Sequence, residues 1–245
     1  MNSFCFKRFL FTLFCCLVSL ETGQLFGQCQ SVQFQIFGHL EAGLEDNQGV
    51  SNASFAMGPH DMFVNAQLSS MISFLSETVI NPKPGNGGFT ANIERALVQF
   101  NYSGNHSLIL GKMHTPINYW NDRYQCHGRL FFPTVDRPTS FSMVIPLHML
   151  GLRLQGQNLG ELNFGYDLVV GNGLSANDRG DNDLKKALTG AVHIKPWEGS
   201  RIGVGYFRDV IVDNAWGGQR GPSNAHRDTS IYKGDVIAHV ITASA

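Results

Sequence analysis

The chain is short of charge. Asp, Glu, Lys and Arg make up 15% of its 245 residues, where about a quarter is usual for a soluble domain. The formal net charge is -1, so the basic excess that would draw the chain to a phosphate backbone is missing and no nucleic-acid partner is expected. Cysteine is scarce as well. Cys5, Cys15 and Cys16 sit at the extreme N-terminus, which leaves Cys29 and Cys126 for the rest of the chain and excludes a disulfide-built scaffold. The apolar run at residues 9–20 is too short to cross a bilayer as a helix. No later stretch approaches the roughly 18 consecutive apolar residues that a transmembrane helix needs.

That N-terminal run has another use. Lys7 and Arg8 precede it, and small and polar residues follow it through 21–27, which is the layout of a secretory signal peptide. Cleavage after Gly27 leaves Gln28 first, although Leu25 occupies a position where a small residue is preferred. A lipoprotein signal ending at Cys29 is the competing reading, and the bulk of Gln28 before that cysteine argues against it. Residues 28–245 then form one exported region.

Within that region glycine (27) and phenylalanine (18) are plentiful, and the dominant signal is an alternation of period two, the mark of strands whose two faces meet different surroundings. Phe34, Ile36 and Leu40 share one face of the first run, with Gln33, Gln35, His39 and Glu41 on the other. A second run covers 62–77. In 89–102 the apolar phase moves from Phe89, Ala91 and Ile93 to Ala96, Val98, Phe100 and Tyr102, which predicts either a β-bulge near Glu94 and Arg95 or two separate pieces. Ser103-Gly-Asn105 signals a tight hairpin, Gly156-Gln-Asn-Leu-Gly160 a turn, and Leu162, Phe164, Tyr166, Leu168 and Val170 the cleanest strand. Roughly nine strands are expected from this pattern. Connections near 103–105, 156–160 and 196–200 are short, and those near 46–60, 115–147, 172–186 and 213–228 are long.

Low charge, many aromatics, strands of about ten residues and loops that are long on one side only are the features of an outer-membrane barrel. Tyr102, Trp197, Tyr206 and Tyr232 fall near strand ends, where aromatic girdles sit. The competing fold is a secreted or periplasmic β-sandwich, which has the same alternation, binding carbohydrate through Trp120 and Tyr124.

The stretch 108–138 is the most particular in the chain. It carries Leu110-Gly-Lys-Met-His-Thr-Pro-Ile-Asn-Tyr-Trp-Asn121, Tyr124-Gln-Cys-His-Gly128 and Arg137-Pro138; Glu94-Arg95 precedes it, and Pro146-Leu-His-Met-Leu-Gly-Leu152 and Val170-Gly-Asn-Gly173 follow. In this order these pieces resemble the bacterial outer-membrane porins related to phosphate-selective porins, over residues 60–210 or so. The resemblance implies an all-β, antiparallel transmembrane barrel of sixteen strands. It further implies a homotrimer at full length in the outer membrane of a Gram-negative bacterium, set in lipid and passing small hydrophilic solutes or anions by diffusion. About nine strands do not close such a ring, and residues 242–245 lack the aromatic terminus usual in the family, so the sequence reads as an N-terminal portion.

The pore-lining or constriction candidates are His114, Trp120, Arg123, Tyr124, His127, Arg129, Arg137, Arg153, Lys195 and Arg201. Those in 115–147 would line a loop folded into the lumen, with arginine suited to phosphate or carboxylate; the alternative is that Tyr119 and Trp120 anchor the loop at the lipid surface while the arginines bond to the wall. On the strands the polar phase offers Gln35, His39, Glu41, Gln67, Arg153, Asn163, Asp167, Lys195 and Arg201, whose mixed signs give no ion preference. His114, His127 and Asp122 are ordinary zinc-ligand types at a spacing that fits no compact ligand motif. Ser140 or Ser142 with His148 lacks the frame of a nucleophile elbow. No cofactor, metal or catalytic activity is expected. N-terminal sequencing of the exported protein should begin at Gln28; a start at a lipid-modified Cys29 would reverse the leader assignment.

Overall fold

The computed structural model describes residues 31–47, 50–83, 87–117, 121, 145–174, 176, 180–181, 183–211 and 236–244; within these, the side chains of 39, 41–47, 50–54 and 236 are left out of the description. Ten strands make up its regular structure: β1 (Ser31–Asn47), β2 (Val50–Gln67), β3 (Ile72–Pro82), β4 (Phe89–Ser103), β5 (His106–His114), β6 (His148–Leu159), β7 (Phe164–Gly171), β8 (Ala187–Ile194), β9 (Ile202–Ile211) and β10 (Val236–Ser244). They form one antiparallel sheet in chain order, each strand bonded to its sequence neighbours. The expected all-β antiparallel class therefore holds, and the two packed sheets of the sandwich alternative are not formed by these strands. The sheet is consistent with a barrel-like fold, but among the described residues it is not closed: β1 and β10 are its edges. No described helix is long and apolar enough to cross a membrane.

Several expected boundaries move. Residues 50–60 were expected in a long loop and instead belong to β2, which pairs with β1 from Val50↔Asn47 onward. The run 62–77 is two strands, because the chain reverses at 68–71, where the Leu68 and Ser69 amides donate to the Ile72 carbonyl. The count is accordingly ten rather than nine. The turn expected at 156–160 lies at 160–163 instead, with Asn158 and Asn163 at φ 52° and 48°, a left-handed conformation that asparagine tolerates. Asn163 is thus a turn residue and not a wall residue. The side chains of His39 and Glu41, and the whole of Tyr232, are outside what is described.

The phase shift in 89–102 resolves as a bulge within one strand. Register runs Glu77↔Arg95 and then Thr78↔Ile93, so Glu94 is the extra residue. Without it, a one-residue slip would send the second apolar set to the opposite face. With it, Phe89, Ile93, Val98 and Phe100 all stand on the same exposed side. The predicted hairpin is also present, with Gly104 at φ 50° between β4 and β5.

Sidedness is uniform across the sheet. The exposed face carries Ile36, Leu110, Leu152, Leu168, Val204 and Ile241, and Phe55 is 92% exposed. The opposite face carries Glu77, Arg153, Asp167, Thr189 and Asp209, all buried. This second face is concave. A flat sheet would place β5 and β9 about 19 Å apart, and the three residues from His114 to Ile117 reach only about 11 Å; yet the Ile117 Cδ1 lies 3.0 Å from where a Cβ on Gly205 of β9 would stand. The curl passes through a row of glycines in register, Gly111↔Gly151↔Gly171. A Cβ on Gly151 would meet the Val170 carbonyl oxygen at 2.3 Å, and one on Gly111, at φ 135°, the Ala96 oxygen at 2.2 Å. Backbone cannot yield as a side chain does. Gly151→Ala should therefore cost about 2 kcal/mol or more in urea unfolding of the refolded protein, whereas Gly190→Ala, whose Cβ meets only Leu168 Cδ2 at 3.8 Å, should be close to neutral.

Candidate functional site: a polar concave face

Alternation along β2 to β7 sends Phe63, Asn65 and Gln67, then Ser73, Leu75 and Glu77, then Arg95, Leu97 and Gln99, to the concave side, and register aligns them in rows across strands. One row reads Phe63↔Glu77↔Arg95. Glu77, 1% exposed, accepts a hydrogen bond from Arg95 Nε, and the Arg95 guanidinium lies 5.8 Å from the Phe63 ring centre. Two rows away in the fold, Arg153 Nε donates to Asp167 Oδ1 at 2.7 Å, Arg153 Nη2 lies 2.6 Å from the same oxygen, and Gln155 Nε2 donates to it at 3.0 Å. Each cation thus lies against a carboxylate that is nearly inaccessible. Burying an ion costs several kcal/mol, and only close partners offset that, so these pairings follow from where alternation puts the charges.

Both arginines line a cavity of about 460 Å³ on the concave side of β1 to β6. Its remaining polar lining is mostly amide and hydroxyl, from Gln33, Asn65, Gln67, Ser73, Gln99 and Gln155.

Beyond it, towards the long-loop end, an apolar cluster occupies the concave face beside the buried Thr189 and Asp209. Ile117, Ile145 and Leu147, from the two ends of the segment between β5 and β6, pack with Met113, Met149, Val169, Ala187 and Phe207. Those ends are stitched together. The Thr115 amide donates to the Leu147 carbonyl at 3.0 Å, Thr115 Oγ1 to the Pro146 carbonyl at 2.6 Å, and Asn121 Nδ2 to the carbonyls of Thr115 and Leu147 at 2.8 and 3.1 Å. The described ends of this segment turn onto the concave face. Trp120, Arg123, Tyr124, His127, Arg129 and Arg137 lie outside the described residues, as do Asp122, Ser140 and Ser142.

Of the described candidates, the structure brings Arg153 and the wall residue Gln67 to the cavity. His114 belongs by register to the outward phase of Leu108 and Leu110, with Met113 taking the concave side. It is buried at the end of β5 against His148, ring centres 5.1 Å apart, and His148 Nε2 lies 3.2 Å from Oε2 of the bulge residue Glu94. Among the described residues no group of three His, Cys, Asp or Glu is placed to hold a metal ion. Lys195 and Arg201 flank the β8–β9 turn: Lys195 Nζ donates to Asn158 Oδ1 at 2.8 Å, and Arg201 Nη2 is 3.1 Å from His193 Nδ1.

Glu77, Arg95, Gln99 and Gln155 were not singled out from sequence. Their signal was present in the phase, since Glu77 continues the polar set of Asn65, Gln67 and Ser73, but splitting the 62–77 run and recognising the bulge were both needed to use it. Asp167→Ala, which removes the carboxylate paired with the buried Arg153, should destabilise the protein by about 3–5 kcal/mol. Arg153→Met with Asp167→Leu should recover most of that loss, as read from urea midpoints.

No family model matches the chain, and no curated protein matches it.

Proposed function

We propose that this chain builds the wall of an outer-membrane pore through which small hydrophilic solutes and ions diffuse passively. The observation that carries the reading is the sidedness of the sheet: apolar side chains outward, paired charges and amides inward. In water that arrangement exposes Phe55, Leu40 and Ile241 almost fully and is unfavourable by about 25 cal/mol for each Å² of apolar surface left uncovered. In lipid the same surface is at home, and the hydrogen-bonded ladder leaves few backbone groups unsatisfied.

Two further features support it. Tyr102, His106, Phe164, Tyr166 and Trp197 gather at the short-turn end of the sheet, with His106 Nδ1 2.9 Å from the Tyr166 hydroxyl, a position suited to an interfacial aromatic girdle. The long connections, at 115–147, 172–186 and 212–235, all leave from the opposite end, as in bacterial outer-membrane barrels. The edges β1 and β10 need partners before the sheet can sit in lipid. In the porins that the sequence resembles, closure comes with sixteen strands and the assembly is usually a trimer.

The full chain should fractionate with outer membranes, migrate faster on a gel before boiling than after, and raise the conductance of planar bilayers. A soluble product retained on a glycan column and silent in bilayers would overturn the reading and favour the carbohydrate-binding alternative.

A further inference from the structure

We infer that the concave groove is charge-compensated and takes uncharged, hydroxyl-bearing solutes in preference to anions, with Glu77 and Asp167 as the residues that set this preference. The inference rests on the pore reading and deepens it.

An arginine facing a water-filled passage ordinarily attracts anions, and two of them would make an anion filter. Here neither presents an uncompensated charge. Arg95 is bound by Glu77, and Arg153 by Asp167 through both Nε and Nη2. Both acids are 1% exposed, so they are held inside the wall behind the arginines and are not available to bulk ions. Asp61 lies on the same concave phase, since it pairs with Val79 two positions from the Phe63↔Glu77 pair, and is also buried. Among the described residues of this region the acids Asp61, Glu77 and Asp167 therefore outnumber the arginines Arg95 and Arg153, and these residues direct no net positive field into the groove.

What remains to meet a solute is a set of side-chain amides and hydroxyls. Gln33 and Asn65 carry both donors and an acceptor, while Gln67, Gln99 and Gln155, whose Nε2 groups donate to the Ser69 and Ile72 carbonyls, to Asn101 Oδ1 and to Asp167 Oδ1, add their carbonyl oxygens. That mixture pairs with a hydroxyl group in either sense, and it replaces the hydration of a neutral polyol better than that of an ion. Leu75 and Leu97 in the same lining add apolar surface for the carbon face of such a solute.

The test uses the full chain in planar bilayers under a potassium chloride gradient, with liposome swelling in a neutral hexose and in an organic sulfonate of similar size. The anion-to-cation permeability ratio should lie within about twofold of unity, and the hexose should enter several-fold faster than the sulfonate. Glu77→Gln and Asp167→Asn each unmask one arginine and should raise the ratio several-fold towards anions. Arg153→Gln with Asp167→Asn, which removes a balanced pair, should bring it back. Strong anion selectivity in the unaltered protein, or single and double substitutions that shift the ratio alike, would overturn the inference while leaving the pore standing. Absence of any conductance would overturn the pore itself and the inference with it.

Discussion

The hydrogen-bonded register between neighbouring strands is the constraint on which everything else in this structure depends. Side chains on an extended chain alternate strictly, so register decides not only which residues touch but which of two unlike environments each one enters. Over most of the sheet every strand keeps its apolar phase on the exposed side. The places where that would fail are handled locally. Glu94 is inserted between Ile93 and Arg95, and a second irregularity falls between Gly38 and Leu40 in β1. Each absorbs residues that would otherwise turn the rest of the strand over.

From that sidedness the chemistry of the concave face follows. Charges sent to a curled, shielded surface need partners at hydrogen-bonding distance, because the desolvation cost of a lone ion there exceeds what most single contacts return. The two arginines of the groove accordingly have carboxylates beside them, one directly across a strand pair and one on the diagonal. The apolar end of the same face is filled differently, by Ile117, Ile145 and Leu147 from a connecting segment. One surface is thereby divided into a polar groove and a packed plug, and the glycine row between β5 and β7 lets the sheet bend enough for the plug to reach β9. At the plug's outer margin, Glu94 and the tilted ring pair His114 and His148 tie the bulge to both ends of the segment that forms it.

Much of this was legible in the chain. Clean alternation in 162–170 and 202–206, the Ser103-Gly-Asn105 hairpin and the phase break near Glu94 each predicted what the structure contains. The errors have physical causes. Residues 50–60 contain Gly58-Pro59, residues that favour turns, but pairing with β1 carries the strand through them. The 68–71 reversal falls between two runs of the same parity, so alternation alone does not reveal it. Asn163 continues the polar phase of β7 on paper and instead takes a left-handed turn conformation. His114 reads as a lining residue from its chemistry, whereas the register gives that side to Met113.

What the sequence determined by itself was the sidedness: which residues form the apolar set and which the polar set of each strand. Alternation is a local property of extended backbone and needs no partner to be read. What only the tertiary structure decided was which charges neutralise each other, where the groove ends and the plug begins, and how far the sheet curls. Glu77 and Arg95, Asp167 and Arg153, Ile117 and Gly205 come from different strands or from a connecting segment. Their meeting is set by pairing register and curvature, and these arise from the packing of the sheet as a whole rather than from any one stretch of chain.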